Sequence, residues 1–315
     1  MDTGKIAFMF SGQGAQYTGM GRELYDNSEA ARAVFDLAER IRPGTIEQCF
    51  SGSEEELTIT ENTQPCVFCV DLAAAVMLDF AGVKADMVAG FSLGELPALA
   101  YSGAFSYEDA FELVWKRGIF MDRATQGADS GMAAILRLSN EDVEKICKEF
   151  KNLSAANYNC PGQVVIAGLK NDFDSIKEKV SEAGGRFMPL KTSGAFHSPF
   201  MLAASTDFAL ELANYDISDP RIPTYSNVTA KAYDGDIKVL LAKQISSSVK
   251  WENTVRDMIS AGAKTFIEVG PGKTLCGLVQ RISDEVSVYN VEDYDSFNKT
   301  LTELGVGANG NLPAM

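Results

Sequence analysis

Histidine is nearly absent from this 315-residue chain, which has one, His197. With a single imidazole and no second CxxC beside the Cys66–Cys69 pair, neither a zinc nor a redox centre is expected, and no metal or cofactor is assigned. Six cysteines at irregular positions in a chain of this length do not make a disulfide framework; they read as reduced, mostly buried thiols. Basic residues are also scarce, 28 Lys and Arg against 43 Asp and Glu, for a net charge of -15. A nucleic-acid partner is therefore not expected, because phosphate binding needs a basic surplus on one face. No basic segment followed by an apolar one opens the chain, and the apolar stretch 67–80 is interrupted by Asp71 and Asp79. These features predict a cytoplasmic protein with no membrane contact. Low-complexity tracts and internal repeats are missing as well, which leaves an ordinary globular composition.

What is there has the texture of an α/β protein. Lys5 to Phe10 is a short apolar run entering the glycine-rich turn Ser11-Gly12-Gln13-Gly14, the pattern of a buried strand and its exit. Pro65 is placed in the first turn of a buried helix that runs to Phe80. Residues 85–89 read as a strand, 90–94 as a turn and 95–101 as a helix start. Ser106 and Asp109 cap a long helix that ends near Ala124. Between 131 and 193 the order becomes strand, helix, strand, strand, helix, strand, which is that of a ferredoxin-like module. After it come a helix over 200–215, an extended 222–227, and helices on either side of a strand at 264–269. The expected fold class is α/β: a large α/β-hydrolase-like subdomain with a parallel sheet (1–128 and 194–315) and an inserted ferredoxin-like βαββαβ subdomain (129–193).

The chemistry centres on Gly90-Phe91-Ser92-Leu93-Gly94, a G-x-S-x-G pattern between a strand and a helix. Small flanking residues there permit the sharp turn that lifts a serine hydroxyl off the sheet edge. A serine serving only as a helix cap is the plain alternative. Serine needs a base to become nucleophilic, and only His197 is available, in the turn-rich Ser193-Gly194-Ala195-Phe196-His197-Ser198-Pro199. Its position after the serine fits the order of α/β-hydrolase-like sites, while no third acid can be picked by spacing. Arg117 is either a surface residue on a mostly apolar helix or, if it faces Ser92, a fork for a substrate carboxylate. Gln13 is either a turn residue or a contributor of a backbone N–H to an oxyanion hole.

Taken together, FMFSGQGAQ at 8–16, GFSLGE at 90–95, VWKRG at 114–118 with Met121, NYNCPGQVVIAG at 157–168, GAFHSP at 194–199, YSN at 225–227 and EVGPG at 268–272 closely resemble the bacterial malonyl-CoA:acyl carrier protein transacylases and the acyltransferase domains of fatty acid and polyketide synthases. The stretches occur in family order across nearly the whole chain. The resemblance implies that Ser92 is the acylated nucleophile, His197 its base and acid, and Arg117 the clamp on the malonyl carboxylate. It implies an oxyanion hole from the backbone N–H groups of Gln13 and Leu93. It further implies that a main-chain carbonyl, placed by similarity at Lys250, orients His197 in place of an aspartate. Gln64, in NTQP at 62–65, resembles a pocket residue, and Phe196 the bulky residue that disfavours a 2-methyl group on the acyl unit. The family usually has His before the nucleophile; this chain has Phe91.

The implied reaction is ping-pong transfer of malonyl from malonyl-CoA through a Ser92 ester to the phosphopantetheine thiol of acyl carrier protein, by an enzyme expected to be a monomer. Lys116, Arg186, Lys191 and Lys250 are candidates for a local basic face toward that acidic carrier. A serine hydrolase using the same Ser92 and His197 is the rival reading, although it leaves Arg117 and Gln13 without a task. A non-catalytic carrier-binding homologue is another, for which Phe91 is the only hint.

Overall fold

A computed structural model describes residues 4–306. Strand β1 (Lys5–Phe10) puts Phe8 and Phe10 on one face and Ala7 and Met9 on the other, the period-two consequence of strand geometry, and all four are buried. Burial on both faces is the mark of a parallel sheet covered by helices on each side. Such a sheet forms from β1, β2 (Met87–Gly90), β7 (Thr224–Tyr225), β8 (Ala263–Val269) and β9 (Ser287–Val291), ordered β7-β2-β1-β8-β9 and parallel throughout. The carboxyl ends of β1, β2 and β8 all point to one edge, where ligands bind in open α/β sheets.

One face is covered by the helices Thr60–Phe80 and Tyr107–Thr125, the other by Trp251–Ser260 and Thr274–Ile282. Thr60–Phe80 is long and apolar enough to cross a membrane, but 83% of its apolar window is buried inside the protein, so it is a core helix. It begins a turn earlier than expected, with the Ile59 carbonyl accepting from the N–H groups of Asn62 and Thr63. Pro65 consequently lies inside the helix instead of in its first turn. Cys66 and Cys69 are both buried in this helix, and all six cysteines are free thiols. Ser106 does cap its helix: its hydroxyl accepts from the Asp109 N–H at 3.0 Å.

The second sheet is antiparallel and built from β3 (Ser130–Leu136), β4 (Ser154–Cys160), β5 (Gln163–Leu169) and β6 (Arg186–Pro189), ordered β4-β5-β3-β6. The helices Asn140–Lys148 and Phe173–Glu182 pack on it around Ile135, Ile146, Ile166 and Ile176. This is the ferredoxin-like order expected from the pattern. Edge strand β4 is not left open: Tyr158 donates to the Val249 carbonyl and Val249 to that of Ala156, each at 2.9 Å. The expected extended segment 222–227 pairs only over its two central residues, while β9 and the helix Tyr294–Glu303 complete the large sheet's far side.

Candidate active site

Ser92 stands where β2 turns into the helix Glu95–Tyr101, and the backbone there leaves no room for side chains. A Cβ on Gly90 would lie 1.9 Å from the Gly94 carbonyl, and one on Gly94 would lie 2.4 Å from the Phe10 carbonyl oxygen. The two glycines of the motif are thus steric requirements of the elbow. Ser92 itself adopts a left-handed φ of 56°, and His197 one of 55°, conformations that cost a non-glycine residue free energy and recur at functional sites. Asn227, just past β7, clamps the turn: its Oδ1 accepts from the Ser92 N–H at 2.8 Å and its Nδ2 donates to the Gly90 carbonyl at 2.7 Å.

The structure brings Ser92 and His197 together, with Oγ 2.7 Å from Nε2. The other ring nitrogen, Nδ1, is 2.9 Å from the Gln244 carbonyl. A carbonyl only accepts, so Nδ1 carries the proton and Nε2 offers its lone pair to the serine hydroxyl. His197 is 4% exposed, and burial, reinforced by the nearby Arg117 charge, lowers its pKa to about 4. The imidazole is therefore neutral near pH 7 and able to take a proton.

The orienting carbonyl belongs to Gln244 and not, as the resemblance placed it, to Lys250. Gln244 closes the helix Ile237–Gln244, where the last carbonyls lack intrahelical partners; its own takes one long bond from the Ser247 N–H at 3.3 Å and keeps a lone pair for an outside donor. Lys250 caps the start of Trp251–Ser260, so its carbonyl is taken by the N–H and hydroxyl of Thr254, each at 3.0 Å.

Arg117 faces Ser92 and is 2% exposed. Its Nη2 donates to Ser92 Oγ at 3.2 Å and to Gln244 Oε1 at 2.8 Å, while Nη1 donates to Gln64 Oε1 at 2.8 Å. Burial lowers its pKa to about 10, opposed by the charge of Glu95, and it remains a cation at neutral pH. Gln64 also donates to Met121 Sδ at 3.4 Å, which fixes its amide with the oxygen toward the guanidinium. Gln244, Asn227, Glu95 and Tyr233 complete this cluster without having been singled out from sequence. Glu95 accepts from Tyr233, from Gln244 Nε2 at 2.8 Å and from the Asn227 N–H at 3.2 Å, and burial raises its pKa to about 7. Asn227 and Glu95 lie inside quoted motifs; Gln244 and Tyr233 lie in none.

Above Ser92 a cavity of about 370 Å³ opens between the two sheets. Gln13, Phe91, Phe196, His197 and Leu275 line it from the large sheet's side, and Met132 and Val165 from the small sheet. Among the described residues, the N–H groups of Gln13 and Leu93 have no acceptor, so both remain available to an oxyanion. The Gln13 side chain donates to Thr60 Oγ1 at 3.2 Å, and Phe196 is buried in the cavity wall. Lys116, a candidate for the basic face, is committed elsewhere, 2.8 Å from both Glu211 and the Tyr215 hydroxyl. Lys191 is exposed at the cavity rim. The whole arrangement can activate a hydroxyl, hold an oxyanion and present one buried cation.

The family model described as "Acyl transferase domain" matches residues 7–298. The malonyl CoA-acyl carrier protein transacylase of Bacillus subtilis (strain 168) is 39% identical over 308 residues, covering 95% of this chain and 97% of that protein. The crystal structure of the Clostridium perfringens transacylase of the same name superposes with a TM-score of 0.93 at 40% identity, covering 96% of this chain and 97% of that one. A malonyl-transacylase solved in complex with a type II polyketide synthase acyl-carrier protein gives 0.91 at 32% identity, covering 95% and 99%. With its elbow, its two sheets and these relatives spanning its length, the chain belongs to the acyl transferase domain family and, within it, to the malonyl-CoA:acyl carrier protein transacylases.

Proposed function

We propose that this chain moves a malonyl group from malonyl-CoA to the phosphopantetheine thiol of an acyl carrier protein by a ping-pong route through a Ser92 ester. The observation that carries the reading is the hydrogen-bonded line Gln244 carbonyl, His197, Ser92, with Arg117 on the same serine oxygen. In the first half-reaction His197 Nε2 takes the hydroxyl proton as Oγ attacks the thioester carbonyl. The resulting oxyanion is received by the N–H groups of Gln13 and Leu93, and His197 returns the proton to the departing CoA thiolate. In the second, the carrier thiol gives its proton to His197 and attacks the ester, and the serine leaves with that proton.

Arg117 supplies the preference for a carboxylated acyl group. Before acylation one of its Nη2 hydrogens is held by Ser92 Oγ. An ester oxygen is a weaker acceptor than a hydroxyl, so acylation releases that hydrogen toward the malonyl carboxylate. Together with the unused hydrogen on Nη1 it forms a fork that matches a carboxylate. Phe196, in the cavity wall, is the residue that would crowd a 2-methyl substituent. The reading treats 129–193 as one inserted unit that roofs the cavity and limits water at the ester, with 1–128 and 194–315 carrying the catalytic groups.

Mixing the protein with malonyl-CoA and mapping the product by mass spectrometry tests this. A malonyl adduct on Ser92 that is discharged by holo carrier protein is expected. Rapid release of free malonate without the carrier would instead make the protein a hydrolase.

A further inference from the structure

Gln244 hydrogen-bonds His197, Arg117, Ser92 and Glu95. Its carbonyl accepts from His197, its Oε1 accepts from Arg117, and its Nε2 donates to the Ser92 carbonyl at 2.7 Å and to Glu95 Oε2 at 2.8 Å. An amide has a donor end and an acceptor end, so this placement works in one orientation only. Arg117 demands the oxygen, while the Ser92 carbonyl and an ionised Glu95 demand the two N–H bonds. Glu95 is fully buried and reaches neither Ser92 nor His197. The titratable or charged groups that face it are Tyr233, from the loop after β7, and Arg117, from the helix Tyr107–Thr125; Asn227 and Gln244 are neutral donors. Each of its three hydrogen bonds is one that a carboxylate accepts.

We infer that Glu95, as the carboxylate, is a positioning residue for the transfer reaction, holding the Gln244 amide in the orientation that aims Arg117 and keeps the Gln244 carbonyl on His197. The inference rests on the transfer reading above and names a regulator of that site. Glu95 is the buried counter-charge of Arg117, coupled to it through one amide, so protonating Glu95 leaves the guanidinium uncompensated and loosens the amide that both share. The burial that raises Glu95 to about 7, against about 4 for His197, puts this event within the working pH range and leaves the histidine outside it. Malonyl loading then falls below about pH 7 because Glu95 takes a proton, not because His197 does.

The test is the rate of Ser92 malonylation, by rapid quench and mass spectrometry, between pH 5.5 and 8.5 for wild type, Glu95→Gln and Tyr233→Phe. Wild type is expected to lose rate with a midpoint near pH 7, and Glu95→Gln to lose that limb, running flat at a lower plateau. Tyr233→Phe removes a donor that favours the charged carboxylate, so its limb moves to higher pH by about half a unit or more. A mere loss of packing scales the rate without moving the limb. Should Glu95→Gln not fold, the Tyr233→Phe shift alone decides. A Glu95→Gln enzyme that still loses rate near pH 7, or a Tyr233→Phe limb that does not move, overturns the inference. A wild type that forms no malonyl-Ser92 ester at any pH refutes instead the transfer reading.

Discussion

Glu95 and Asp71 are both fully buried carboxyl groups on helices packed against the same parallel sheet, and their surroundings differ in kind. Glu95 accepts three hydrogen bonds, from Tyr233, Gln244 and Asn227, with a cation close by. Among the described residues neither oxygen of Asp71 has a partner at hydrogen-bonding geometry, and Glu268, whose charge it feels, has an unpartnered Oε1. Burial pushes both acids up. For Glu95 the donors and Arg117 hold the rise to about 7, whereas Asp71, pushed up by burial and by the charge of Glu268, sits well above its ordinary value, opposed only by the Ser11 N–H and hydroxyl, which approach it without completing a hydrogen bond of normal geometry. Burial alone thus does not decide whether a carboxyl group can carry charge; the donors around it do. The satisfied acid belongs to the reactive end of the molecule, and the unsatisfied one is a cost borne by the fold.

If that contrast is right, the satisfied cluster should tolerate almost no loss. His197→Ala is expected to lower malonyl loading of Ser92 by roughly 10²–10⁴-fold, the usual contribution of a general base. Loading within a few-fold of wild type would separate the cluster from catalysis altogether. Arg117→Ala comes next, with malonyl loading falling about 10²-fold more than acetyl loading, the scale of a lost charge-assisted pair. Rates measured side by side with malonyl-CoA and acetyl-CoA check this, and equal losses would remove Arg117 from acyl choice.

The unsatisfied acid should respond in stability and not in rate. A carboxyl whose folded pKa is raised binds its proton more tightly when folded. Its stabilising effect is complete below the unfolded value, 3.8 for Asp71, and is lost as pH rises toward the folded value. Within that window wild type loses about 1.4 kcal/mol per pH unit through this group. Asp71→Asn removes the dependence, so its melting temperature relative to wild type is expected to climb between pH 5 and pH 8. An offset that is the same at both pH values would mean that Asp71 is satisfied after all.

Ser92 and His197 are legible in the sequence because each lies in a short contiguous motif whose chemistry calls for those residue types, and Arg117 because its stretch resembles the family's; the residues alone left Arg117 open. The short apolar strands and the βαββαβ order are legible for a similar reason, since a local apolar run and the order of elements are read along the chain. Gln244 and Tyr233 leave no such trace, because what makes them important is which groups a tertiary contact brings to them. The carbonyl that orients His197 depends on where one helix ends and the next begins, and boundaries are the least certain part of a pattern reading. Lys250 at an N-cap follows Gln244 at a C-terminus by six positions; the Lys250 carbonyl is filled twice by Thr254, whereas that of Gln244 carries only the Ser247 N–H at 3.3 Å beside His197. Strand β9 is missed because SVYNV is mostly half-buried and broken by Ser287 and Asn290, without the continuous apolar run that marks β1 and β2.

Phe91 lies between the two regions and gives the smallest expected effect. Its ring meets Trp251 edge to face at 5.5 Å and lies so close to Gly12 that a Cβ there would come within 2.8 Å of it. On one side it touches the strand exit that begins at Ser11, beside Asp71; on the other its backbone leads into Ser92. The bonds that fix the elbow at this position are main-chain ones: the Phe91 N–H donates to the Phe10 carbonyl at 3.0 Å, and its own carbonyl accepts from Gly94 at 3.1 Å. Both are independent of the side chain. Phe91→His is therefore expected to leave the rate of Ser92 malonylation within a few-fold of wild type and its pH profile unmoved. The cost should fall on stability instead, about 1 kcal/mol, as a smaller polar ring replaces the aromatic pair against Trp251. Parallel loading assays and thermal melts decide between the two. A rate change well beyond tenfold, or a displaced acid limb, would show that the residue before Ser92 communicates with the charged cluster that its position only borders.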